Sequence, residues 1–115
     1  MATNTEYLQV TTTIDSEEQA QKLAQQIVER RLAACAQVVG PIISTYYWKG
    51  QVESAREWMC IAKTTQMKYP ALEDAILRLH PYETPEVLAT PIVAGSNAYL
   101  DWIAKELEIG TEPSE

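Results

Sequence analysis

Apolar and polar positions change their spacing several times along the chain, and each change marks an element. Tyr7 to Thr13 combines Tyr, Leu, Val and a run of Thr, which predicts a strand. At Ile14-Asp15-Ser16 the period switches to that of a helix, with Ala20, Leu23, Ala24, Ile27, Val28 and Leu32 on one face. Asp15 or Ser16 caps this helix, and Ser16 and Gln19 have capping-box spacing. Glu17 and Glu18 fill its first turn and Arg30 and Arg31 its last, matching the helix dipole. A second strand runs from Ala33 to Val39, is bulged or bent at Gly40-Pro41, and continues from Ile42 to Trp48. Lys49-Gly50 is a two-residue hairpin turn in which Gly supplies positive φ, and Val52 to Thr65 is the returning arm. Tyr69-Pro70 opens a second helix whose apolar face is Leu72, Ala75, Ile76 and Leu79. Pro81 disfavours helical geometry at His80 and ends it. Pro85 to Val93 reads as the last long strand, with Pro91 marking an edge or a bulge. Gly95-Ser96-Asn97 caps a third helix that buries Tyr99, Leu100, Ile103 and Leu107, with Trp102 beside them. Gly110 stops that helix ahead of a short polar tail.

The order strand, helix, long hairpin, helix, strand, helix describes two βαβ halves joined through a hairpin. That is an α+β fold on the ferredoxin-like split βαβ plan, with an antiparallel sheet, helices on one face and an extra C-terminal helix. A single domain covers residues 1–115, with 110–115 as a tail. The hairpin arms are longer than a small sheet needs and carry Tyr46, Tyr47, Trp48 and Trp58. Such an arm is an aggregation hazard when left alone, so these four residues are expected at the interface of a homo-oligomer.

Composition narrows the partners. Apolar residues make up 46% of the chain, enough to support a core. A net charge of −7 without a Lys or Arg run argues against nucleic acid and anionic membranes as partners. The N-terminus lacks a signal pattern, and Cys35 and Cys60 lack CxxC spacing, so a cytoplasmic protein with reduced, buried thiols is expected.

The chemistry concentrates between Leu79 and Glu86, a proline-stiffened connector with His80, the only histidine, and with Tyr82, Glu83 and Glu86. A neutral imidazole suits Cu²⁺, Ni²⁺ or Zn²⁺. Alternatively, His80 simply ends its helix, where the dipole favours it. Glu53 and Glu57 alternate onto one face of the returning arm with Lys63. At ~3.3 Å per residue the two carboxylates stand ~13 Å apart, which suits cross-strand or intersubunit pairing rather than acid–base catalysis. No nucleophile–base set, phosphate loop or zinc pattern occurs, so an enzyme is not expected, nor a tightly bound cofactor.

Five segments together resemble the CutA family of divalent-cation tolerance proteins. They are Arg31-Leu32-Ala33-Ala34-Cys35-Ala36, Tyr46-Tyr47-Trp48-Lys49-Gly50-Gln51-Val52-Glu53, Lys63-Thr64, His80-Pro81-Tyr82-Glu83-Thr84-Pro85-Glu86 and Tyr99-Leu100-Asp101-Trp102-Ile103. The resemblance implies a homotrimer similar to PII-type signalling trimers and a role in tolerance to copper and other divalent cations. It places the family's motif histidine at His80, giving His80 and Glu83 as metal candidates. Thr12 and Leu79 stand where some bacterial members carry a cysteine and a second histidine. A PII-like module is the alternative, holding a small molecule or a partner protein in an intersubunit cleft with Trp48, Lys63, Tyr82 and Glu83.

Overall fold

The computed structural model describes residues 6–109. The elements run β1 (Tyr7–Ile14), α1 (Glu17–Glu29), β2 (Cys35–Trp48), β3 (Gln51–Thr65), α2 (Tyr69–Leu79), β4 (Leu88–Pro91) and α3 (Asn97–Ile109). The four strands form one antiparallel sheet in the order β2-β3-β1-β4, the ferredoxin-like arrangement. The expected stop at Gly110 and the polar tail lie outside the described residues.

Alternation along the strands turns Val10, Ile14, Cys60 and Ala62 to one face, where Leu23 and Ile27 of α1 and Leu72 and Ile76 of α2 cover them. Burial pushes the Cys60 thiol up to about 11, so it stays protonated and packs as a small apolar group. α3 buries Ile103 and Leu107 outside this cluster. Its Tyr99 meets Cys35, which pairs with Lys63 and alternates onto the opposite face of the sheet. Tyr99 is not the buried position expected: it is 42% exposed and stacks on Trp102, itself 39% exposed, at 5.6 Å.

The helix ends follow local chemistry, with one difference. Ser16 Oγ accepts the Gln19 amide and caps α1, and Ser16-like capping recurs at α3, where Ser96 Oγ accepts the Tyr99 amide. At the other end of α1, Arg30 and Arg31 lie past the last turn rather than in it. Arg31 is left-handed at φ 58°, the Arg31 amide bonds Val28 O, and the Leu32 amide bonds Ile27 O. This paired closure usually takes glycine. Arg31 offsets its backbone cost, about 1–2 kcal/mol, by reaching α3: its guanidinium donates to Glu106 O at 2.8 Å and to Glu106 Oε1 at 3.0 Å.

The final strand is much shorter than Pro85 to Val93. β4 has four residues, paired to Leu8–Thr11 of β1. It cannot extend back along β1, because the Thr13 carbonyl on that edge is taken by the His80 ring.

The hairpin is the longest feature. β1 pairs β3 only over Trp58–Thr65, while β2 and β3 stay paired out to Trp48 and Gln51. Residues 51–57 therefore overhang the sheet by ~23 Å at ~3.3 Å per residue, giving a molecule 51 Å long and 28 Å wide. The register shifts between Val39 and Ile42, as the Gly40-Pro41 pair leads one to expect, and the Gly40–Pro41 bond is cis. Trp58 packs over this bulge and against the core, and is half-buried within its own chain.

A Cβ on Gly40 would lie 2.5 Å from Trp58 Cδ1 and 3.1 Å from the Glu57 carbonyl oxygen. Gly40→Ala is expected to destabilise the fold by about 1–3 kcal/mol through overpacking. Urea unfolding at fixed protein concentration checks this, and an unchanged midpoint would contradict it.

Candidate functional site

Pro81 has no backbone N–H and holds His80 out of helical geometry, so α2 ends there with His80 at ψ 139°. This geometry turns the His80 ring inward, where it is 8% exposed. Its Nε2 lies 2.9 Å from the Thr13 carbonyl, and its Nδ1 accepts the Tyr82 amide at 3.1 Å. The carbonyl only accepts and the amide only donates, so the ring is the neutral Nε2–H tautomer. The Tyr82 ring meets His80 edge-on at 4.7 Å, and its hydroxyl donates to Glu57 Oε2 at 2.6 Å. A continuous set of hydrogen bonds thus runs from β1 through the connector to β3.

Glu57 is 6% exposed, and its side chain's only hydrogen bond among the described residues is the one from Tyr82. Burial, then the bond to Glu57, raises the Tyr82 phenol above its ordinary range, so it remains a donor. Glu57 is the cleft residue that sequence reasoning assigned to cross-strand or intersubunit pairing instead. It alternates onto the face of β3 turned away from the core, and its burial is legible only once the connector is known to fold over it.

Between the hairpin overhang and the connector lies a cleft of about 700 Å³. Its walls include Tyr46, Trp48 and Tyr82 and the carboxylates of Asp15, Glu53, Glu57, Glu83 and Glu86, with no Lys or Arg among the lining residues. Three of the four residues expected to hold a small ligand, Trp48, Tyr82 and Glu83, therefore come together. Lys63 does not: six residues along β3 from Glu57, ~20 Å at ~3.3 Å per residue, it donates to Gln37 Oε1 at 2.9 Å.

The metal candidates separate as well. Glu83 faces the cleft. His80 has no free ring nitrogen in this fold, and ligation through it would require giving up the Thr13 carbonyl or the Tyr82 amide. Among the described residues no three His, Cys, Asp or Glu side chains converge on a point that could hold a metal ion. The described residues of one chain therefore do not by themselves form a closed metal centre. Thr12 and Leu79 turn toward the core, Thr12 opposite Cys60 and Leu79 against the helix layer, and neither lines the cleft.

Burial lowers the His80 pKa below 6.5, outweighing the Thr13 hydrogen bond and the charges of Glu57 and Asp15, which act the other way. The unfolded chain therefore takes up the proton first as pH falls. The stability His80 contributes is complete above 6.5 and declines as pH drops from there through its folded pKa. Unfolding midpoints at about pH 7.5 and about pH 5.5 are expected to fall in the parent and to fall less in His80→Gln; equal falls would remove His80 as the cause.

Comparison with known proteins agrees with this architecture. The family model described as CutA1 divalent ion tolerance protein matches residues 8–106. The divalent-cation tolerance protein CutA of Thermus thermophilus is 43% identical over 91 residues, 79% of this chain and 88% of that one. Human Protein CutA is 40% identical over 96 residues, 84% of this chain but only 54% of the human protein, so the chain spans about half of it. The structure of CutA from Synechococcus elongatus PCC7942 superposes with a TM-score of 0.87 at 37% identity, covering 92% of this chain and 94% of the other. With its ferredoxin-like sheet and overhanging hairpin, this chain belongs to the CutA1 divalent ion tolerance protein family.

Proposed function

We propose that this protein is a cytoplasmic homotrimer of the divalent-cation tolerance type, binding copper or other divalent metal ions loosely in the cleft beneath its hairpin, and that it is not an enzyme. The observation that carries this is the cleft's charge: five carboxylates and no cationic side chain in its lining. Oxygen donors favour divalent cations, and clefts lined by one sign of charge concentrate the opposite ion. The ligands dispersed in one chain are completed by a neighbouring subunit. Glu83 is the carboxylate we assign to the ion, while His80 holds the connector that presents it.

Assembly is supported by what the hairpin leaves uncovered. Tyr47 is 77% exposed and Trp48 46% exposed, and Ile43 and Val52 also face solvent. Beside them the outer edge of β2 has no strand partner among the described residues. An edge of this length is satisfied by pairing with another copy. A second reading, a PII-like module for a small molecule or partner protein, is favoured by the size of the cleft and its aromatic walls.

Sedimentation equilibrium is expected to give three times the 12.9 kDa chain mass, with dissociation shifted to higher concentration in Tyr47→Ser. A monomer at micromolar concentration would contradict the assembly. Cu²⁺ and Mn²⁺ titrations against a competing chelator are expected to show binding that weakens as pH falls and that Glu83→Gln reduces. His80→Ala is expected to weaken both ions together, through the connector. Selective loss of Cu²⁺ would instead make His80 a direct ligand, since imidazole favours copper over manganese.

A further inference from the structure

The carboxylates of the cleft are spread out rather than gathered. Glu53 and Glu57 share one face of β3 at a separation of ~13 Å at ~3.3 Å per residue, and Asp15, Glu83 and Glu86 stand on the surrounding walls. No three of them converge on one point among the described residues. A hard metal ion requires several oxygens around a single centre. Carboxylates spaced along a groove suit a cation whose charge is itself distributed.

Two further observations define that cation. Glu57 is a buried carboxylate lining the cleft, and only Oε2 is engaged, by the Tyr82 hydroxyl. Oε1 accepts no hydrogen bond among the described residues and is open to solvent on the cleft side, where it is available to a cationic donor. Between the charges lie the rings of Tyr46, Trp48 and Tyr82, which offer apolar surface to methylene groups and π faces to an ammonium. The Lys49 ammonium already sits 5.8 Å from the Trp48 ring centroid, so this ring takes a primary amine at the mouth of the cleft. A metal ion uses none of this aromatic surface. Phosphorylated and carboxylated ligands are repelled by the lining.

We propose that the cleft binds a linear aliphatic polyamine, with one ammonium on Glu57, others on Glu53 and Glu83, and the methylene spacers against Trp48 and Tyr82. The assignment rests on the reading of the cleft as a cation site and adds the class of ligand. The ammonium on Glu57 takes the oxygen that Tyr82 leaves free, and the opposite end of the chain displaces Lys49 from Trp48.

The test is calorimetric titration of the full chain with spermidine, with Mn²⁺ alone in parallel, at fixed ionic strength because exposed charges are screened by salt. Spermidine is expected to bind saturably, and at least about tenfold more weakly in Glu57→Gln, where one charge partner is removed. Trp48→Ala is expected to weaken spermidine about two- to fivefold and to affect it more than Mn²⁺. Oligomer size is measured for each variant, and Glu83→Gln serves as a second, solvent-facing change should Trp48→Ala disturb assembly; it too is expected to weaken spermidine. Mn²⁺ binding without spermidine binding overturns the polyamine and leaves the cation site standing. Binding of neither overturns both. Spermidine binding that Glu57→Gln and Glu83→Gln leave unchanged is surface attraction and overturns the proposal. A cleft already filled by a lysine of a second copy, revealed by carboxyl–amine coupling between chains together with no spermidine uptake, overturns it as well.

Discussion

The structure depends on a mismatch in strand length. β3 has fifteen residues and its central neighbour β1 has eight, so half of β3 has sheet on both sides and the other half only β2. Over Trp58–Thr65 the strand is locked between β1 and β2 and backed by two helices. Beyond that point, among the described residues, its backbone groups on the β1 side have no strand to pair with and its side chains have no helix layer. A hairpin alone is marginally stable in water. What steadies this one is the bulge at Gly40-Pro41, with Trp58 packed over it, and the connector folded against its base.

The connector is fastened by hydrogen bonds more than by apolar burial. The His80 ring is the central piece, since it satisfies a strand carbonyl with one nitrogen and an amide of its own loop with the other. Proline at position 81 makes this geometry available by ending α2 one residue earlier, so the two features act as one device. Through Tyr82 the device reaches β3 and fixes a carboxyl group at the floor of the cleft. The same arrangement cuts β4 short, because an edge carbonyl given to His80 is no longer available to a strand.

The cleft follows from these two facts. The overhang supplies one wall and the fastened connector the other, and the polar face of β3 lies between them. Its charge is uniform because the cations of this region point elsewhere: Lys63 toward Gln37, Arg56 over the Trp58 ring, and Lys49 at the rim on Trp48. A concave site with one sign of charge and aromatic walls is selective for cations by its field and by its shape together.

Much of this was legible in the chain itself. The first helix with its Ser16 cap, the bulge at Gly40-Pro41, the Lys49-Gly50 turn, the end of α2 at His80 and the Ser96 cap of α3 are each determined by residues within a few positions of one another, which is why sequence reading located them. The ferredoxin-like order followed from the succession of elements, and the overhang from the length of the hairpin arms. Only the tertiary structure decided which distant residues meet. Glu57 and Tyr82 are 25 positions apart, His80 and Thr13 are 67, and Arg31 and Glu106 are 75. No local pattern announces such pairs, because neither partner's conformation depends on the other until the chain is folded. For the same reason Lys63 shares a face with Glu57 in the pattern yet lies far from the cleft. Spacing along the chain fixes the side of an element a residue occupies; what it touches there depends on the packing of the whole sheet.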